Sequence, residues 1–136
     1  MDQIFVGVGV IVEKDNKFLV VKESSGQYSF PGGHVMNNES IESASIREVL
    51  EETNAQIEVE YIIGFYLIPG ALGIGIKAKY IKEDQFMPTD EIQSIHWMDK
   101  SQINNLKDQF RPGQLIGYSD YLKNKKLELS TITNFL

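Results

Sequence analysis

Glu48, Glu51 and Glu52 stand in the run Arg47–Glu48–Val49–Leu50–Glu51–Glu52, at spacings i, i+3 and i+4. On a helix of 3.6 residues per turn the three carboxylates fall within an arc of about 100°. Such a cluster repels itself, at roughly 0.2–0.5 kcal/mol per close pair. A hard divalent cation would offset that cost, because Mg²⁺ takes oxygen ligands and keeps waters and substrate phosphates in its shell. The alternative is a solvated acidic helix face, which is what an isolated acidic triplet usually is. Arg47 lies four residues before Glu51, a spacing that allows a charge pair.

The helix that carries these residues is expected to start near Ser40, a good N-cap, with Glu42 in its first turn where acid suits the dipole. Ile46, Val49, Leu50 and Thr53 are its expected buried flank. Ahead of it, Pro31–Gly32–Gly33 and a polar run to Glu39 read as a loop.

The rest of the chain reads mostly as strands. Ile4 to Val12 and Lys17 to Lys22 are β-rich, and Asp15–Asn16 between them predicts a hairpin. Tyr28 to Phe30, Ile57 to Ile68, Leu72 to Ile81 and Ile92 to Met98 supply further strands, with Pro69–Gly70 a turn. Asp99 to Phe110 has helical spacing, Gln114 to Lys123 makes a last helix, and Leu127 to Leu136 fits a terminal strand or a docked tail. Gly7, Gly9, Gly73 and Gly75 read as strand glycines marking bulges or close backbone approach, since neither pair continues into a dinucleotide or P-loop pattern. Periodicity alone supports helices with mixed β structure.

At 136 residues, without linker or repeat, the chain is expected to form one domain over 1–136. It has no cysteine, no apolar run long enough to span a membrane, and no basic leader before Ile4, so cytoplasm is the expected location. A net charge of −6 argues against bulk nucleic-acid binding. A diphosphate would need cations to bridge it to such an acidic site.

Taken together, Gly33, Glu39, Arg47–Glu48–Val49 and Glu51–Glu52 resemble the signature of the Nudix hydrolases, G-x5-E-x7-R-E-U-x-E-E-x-G-U with U a bulky aliphatic. Asn54 stands where the last Gly is expected and Ala55 where the final aliphatic is. Asn is the usual substitute for Gly at a left-handed helix end, and neither departure touches a carboxylate. The resemblance covers 33–55 in its motif and essentially the whole chain in length. It implies an α/β/α sandwich, a mixed β-sheet flanked by helices. The implied activity is Mg²⁺- or Mn²⁺-dependent hydrolysis of a nucleoside diphosphate linked to a moiety X, of nucleotide or ADP-sugar type.

Carried over position by position, the resemblance makes Glu48 and Glu52 the principal metal ligands and Glu51 a third ligand or one acting through water. Glu39 is expected to approach the metals from the loop, and the Gly32 carbonyl to be a further ligand. Arg47 reads as an orienting residue paired with Glu51 or Glu39. Glu91 sits where related enzymes carry an extra acid, and His96 where some have a catalytic Glu; a solvated loop charge and a partly buried His are the plain alternatives. His34 reads as structural or substrate-facing. Tyr28, Phe65, Tyr66 and Phe110 are candidates to stack on a base, or core aromatics. Pro69 lies near where ADP-ribose-type members carry a proline, and is also simply a good turn residue. The expected partner is a small nucleotide, and the resemblance allows for a homodimer. Rival readings are a silent nucleotide-sensing module and a pyrophosphohydrolase acting on RNA 5′ ends; intact acids weigh against the first and the acidic charge against the second.

Overall fold

The computed structural model describes residues 3–127. β1 (Phe5–Lys14) turns at Asp15–Asn16 into β2 (Lys17–Glu23). Both turn residues take positive φ, 53° and 62°, the left-handed pair whose twist suits a two-residue hairpin. Two short strands follow, β3 (Tyr28–Ser29) and β4 (Gly32–His34), then helix α1 (Ile41–Thr53). β5 (Ala55–Ile68) and β6 (Ala71–Glu83) form a long hairpin through Pro69–Gly70. β7 (Ile92–Met98), α2 (Lys100–Asn105), a 3-10 turn (Lys107–Gln109) and α3 (Gln114–Leu122) complete the described chain.

The strands make one sheet in the order β3-β2-β1-β6-β5, with β4 beside β1 and β7 beside β2. β1 and β6 run parallel and the other pairs antiparallel, so the sheet is mixed. Alternation along β1 sends Val8, Val10 and Val12 to one face, where they pack with Ile41, Ala44 and Val49 of α1. Ile11 points the other way and joins Phe18, Ile103, Phe110 and Tyr118 under α2 and α3. Each fully buried aliphatic contributes about 1.5–3 kcal/mol of transfer free energy. The result is the expected α/β/α sandwich, a mixed sheet flanked by helices.

The caps of α1 follow from local chemistry. Ser40 Oγ accepts from the Ser43 N–H, and Asn54 takes the left-handed conformation (φ 63°) while its N–H donates to the Leu50 carbonyl. The buried stripe differs from the expected one. Val49 and Thr53 are buried, but Ile46 and Leu50 are exposed at 36% and 42%. Ile41, Ala44 and Ser45 take their place, and Ser45 Oγ satisfies itself on the Ile41 carbonyl. Small side chains at 44 and 45 let the helix lie close to the sheet, which turns the larger pair outward.

Other expectations also shift. The segment read as a loop after Pro31 contains β4, whose Gly7↔His34, Val8↔Gly33 and Gly9↔Gly32 register ties it to β1. The helix expected over Asp99 to Phe110 stops at Asn105, passes through the 3-10 turn, and leaves Phe110 extended in a bridge to Tyr28. Of Leu127 to Leu136, Leu127 donates its N–H to the Ile62 carbonyl of β5; the rest lies outside the described residues. Among the described residues no helix is long and apolar enough to cross a membrane.

Candidate active site

α1 delivers its acids to the outer edge of β4. The Gly32 N–H donates to Glu52 Oε1 at 2.9 Å, which pins the last glutamate to the strand. Gly33 makes room for Glu48: a Cβ at that position would lie 2.6 Å from the Glu48 carboxyl group. A side chain there would displace the carboxylate, so the glycine lets Glu48 lie against β4. Asn38 at φ 64° bends the loop between β4 and α1, and the Met36 N–H donates to Glu39 Oε1.

Arg47 is the hub of this loop and helix. Its Nε and Nη2 donate to the two oxygens of Glu39 at 2.7 and 2.9 Å, a fork-on-fork pair. Nη1 donates to Glu48 at 2.9 Å and to Glu51 at 3.3 Å, and Nη2 also reaches the His34 carbonyl at 3.0 Å. Both pairings expected of Arg47 are therefore present at once. Both Glu39 oxygens accept from Arg47, so in this structure the carboxylate braces the arginine. The Arg47 guanidinium, with help from the Met36 N–H, holds the Glu39 carboxyl down at about 2.

Glu48 and Glu52 move the opposite way. Burial raises the Glu48 carboxyl above its usual range against the pull of Arg47. Burial pushes Glu52 up to about 8, eased by the Gly32 N–H and reinforced by the charges of Glu48, Glu23 and Glu91. Glu91 is thus near enough to act electrostatically on both acids. Glu23, at the end of β2, is a further acid that sequence reasoning missed; its Oε2 accepts from Ser29 Oγ at 2.9 Å. Glu51 is the exposed member of the triplet, with 58% of its side chain open.

His96 stands apart from the glutamates. Its Nε2 lies 2.8 Å from Ser94 Oγ, its ring meets Tyr28 edge-on, and burial together with Lys22 lowers its pKa. His34 is exposed and stacks on Phe5. Tyr28 packs between His96 and Phe110, and Phe110 is core.

On the α3 side of the sheet, one strand from β4, lies a groove of about 300 Å³. Its floor is paved by Gly7 and Gly9 of β1 and Gly73 and Gly75 of β6, which face one another in register. Tyr66 forms a wall, lying over Gly64 and Gly75 with its OH donating to Asp120 at 2.7 Å. The Arg111–Pro112–Gly113 turn closes one end. Phe65, expected beside Tyr66 as a stacking residue, is not in the lining: it pairs with Ile74, whose side chain packs in the α1 core. A second depression, about 500 Å³ beside α3, adjoins the groove across Arg111, Pro112, Gly113 and Ile116 and adds Lys107 and Lys123; no glutamate lines either one.

Among the described residues no three acids or histidines already converge as a cation cage. The donor chemistry nevertheless suits Mg²⁺ or Mn²⁺. Glu48 and Glu52 are hard oxygen donors in partly buried positions, and Glu52 has a single backbone N–H to offset its charge. A bound divalent ion would relieve both.

Fold and site together define a class: a mixed-sheet sandwich whose loop and helix set glutamates against a glycine strand. The chain belongs to the NUDIX family, and the family model of the NUDIX domain matches residues 4–118. A NUDIX hydrolase from Nitrosomonas europaea has the same fold at a TM-score of 0.87, with 26% identity and 95% of each chain covered. An ADP-ribose pyrophosphatase of Methanocaldococcus jannaschii is 40% identical over 68 residues, 47% of this chain and 40% of that protein. A putative 8-oxo-dGTP diphosphatase of Bacillus subtilis is 34% identical over 76 residues, 56% of this chain and 48% of that one. The matches span less than half the length of these two relatives.

Proposed function

We propose that this protein is a divalent-metal-dependent pyrophosphohydrolase that cleaves a nucleoside diphosphate linked to a second group, by attack of water at phosphorus. The observation that carries the reading is the pairing of Glu48 and Glu52 on one face of α1 beside the Gly32–Gly33 strand. Glu48, Glu52 and the Gly32 carbonyl would hold the cation, with Glu51 joining directly or through water. When bound, the cation neutralises phosphate oxygens and acidifies water.

The chain's own residues do the rest. Arg47 aims Glu48 and Glu51 and ties the loop through Glu39 and the His34 carbonyl. Glu91, exposed just before β7 and electrostatically coupled to both buried acids, would accept a proton from water. The groove receives the nucleoside, with Tyr66 as its aromatic wall.

Two relatives are named for ADP-ribose and 8-oxo-dGTP, so both compounds belong in the substrate panel, beside UDP-glucose and NAD-capped RNA. Phosphate or monophosphate release should require Mg²⁺ or Mn²⁺ and favour a free nucleotide over the RNA. Binding without release from any compound would establish the nucleotide-sensing reading instead.

Filling the groove tests its role separately. A Cβ at Gly9 meets nothing within 4 Å, so a side chain there starts into open space, and Gly9→Val puts a β-branched residue, which suits a strand, on the groove floor. The expected result is a KM raised about tenfold or more, the scale of losing a base–aromatic contact. The melting temperature should stay within a few degrees. An unchanged KM would remove the groove from the substrate path.

A further inference from the structure

The cation at the end of the groove has no part in the family motif. Arg111 is the only charged residue in the groove lining among the described residues, and it also reaches back toward the acids. Its Nε lies 3.4 Å from Glu23 Oε2, and the charge of Glu23 acts on Glu52. Arg111 thus lines the groove and pairs with an acid whose charge reaches Glu52.

Its backbone is fixed while its head is lightly held. The Arg111 N–H donates to the Tyr28 carbonyl at 2.8 Å, and the Arg111 carbonyl accepts from the Gln114 N–H at 3.1 Å. Gln114 in turn accepts from the Phe30 N–H, and Gly113 takes φ 88° to make the bend. By contrast the side chain is 51% exposed and its pair with Glu23 is long. A surface pair of that kind contributes about 0–1 kcal/mol, so little opposes a change of partner. Arg47 cannot serve the groove, because three glutamates and a carbonyl occupy its donors.

We propose that Arg111 is the residue that binds the phosphate attached to the group in the groove, giving up Glu23 to do so. A planar guanidinium matches phosphate oxygens with two parallel hydrogen bonds, which a lysine cannot reproduce. In a chain of net charge −6 this is the groove's means of drawing an anion toward an acidic cluster. The proposal rests on reading groove and carboxylates as one substrate site.

The test is binding of AMP beside adenosine, and UMP beside uridine, to metal-free protein in EDTA at low salt. Wild type should bind each monophosphate more tightly than its nucleoside. Arg111→Ala should weaken the monophosphates about tenfold and leave the nucleosides unchanged, with Arg111→Lys between. Equal weakening of both ligands, no weakening, or a wild type that binds neither would overturn the proposal. Turnover with Mg²⁺ separates this outcome from the hydrolase reading. Arg111-dependent AMP binding without turnover of any panel compound would sink the hydrolase alone. Turnover with monophosphate binding indifferent to Arg111 would sink the clamp alone.

Discussion

Replacing Glu52 by Gln is expected to lower kcat by on the order of a thousandfold, about 4 kcal/mol of transition-state stabilisation. The substitution keeps the Oε1 acceptor for the Gly32 N–H, so the strand–helix tie survives. What it removes, at the most buried of the site's acids, is the carboxylate form that a cation would stabilise, and with it a hard ligand. Circular dichroism should report an unchanged fold, and calorimetry should report Mn²⁺ uptake lost or much weakened. Activity within a few-fold of wild type would show that Glu52 is a structural anchor and that the cation is held elsewhere.

The same residue gives the metal-free protein an unusual pH dependence. The Glu52 carboxyl is pushed up to about 8 by burial, against an ordinary 4.5. Between those values the folded state holds more protons than the unfolded state, so stability falls as pH rises. The contribution is fully present below about 4.5 and exhausted above about 8. Its steepest slope is about 1.4 kcal/mol per pH unit, or roughly 4 °C in Tm for a domain of this size. Glu48, also raised, acts in the same direction. Glu39, held at about 2, acts oppositely and only below its ordinary range, where stability is lost as pH falls. Thermal melts in EDTA from pH 5 to 9 should therefore descend, and Glu52→Gln should flatten most of that descent. Added Mg²⁺ should flatten it too, because a cation that binds the carboxylate displaces its proton. A wild-type profile that rises or stays level over this range would show that Glu52 is ionised without help.

What could be read in advance was the chemistry that is local in sequence. Ser40 and Asn54 declare the ends of α1 because each acts on backbone groups within four residues. Asp15–Asn16 declares its hairpin for the same reason. The carboxylates and Arg47 were legible because a single helix carries them. The groove was not, because its floor joins Gly7 and Gly9 to Gly73 and Gly75 across a parallel pairing that no local pattern encodes. Read one strand at a time, those glycines marked only bulges or close approach. Glu23 and Arg111 were missed on the same grounds, since 88 residues of chain separate partners that the sheet brings together. The outward turn of Ile46 and Leu50 depended on how closely Ala44 and Ser45 let the helix approach, a matter of three-dimensional fit. Three residues of β4 are too few to show a period, and their register comes from β1.

Arg47 already sits where positive charge is wanted, gripping Glu48 and Glu39 and steadying the His34 carbonyl. Arg47 engages Oε1 of Glu48, so a cation of the proposed function would take the other oxygen of a carboxylate the guanidinium already aims. On that reading, occupancy of the site and order in the 34–39 loop would be coupled through Arg47, and the amide-exchange rate of that loop would gauge occupancy.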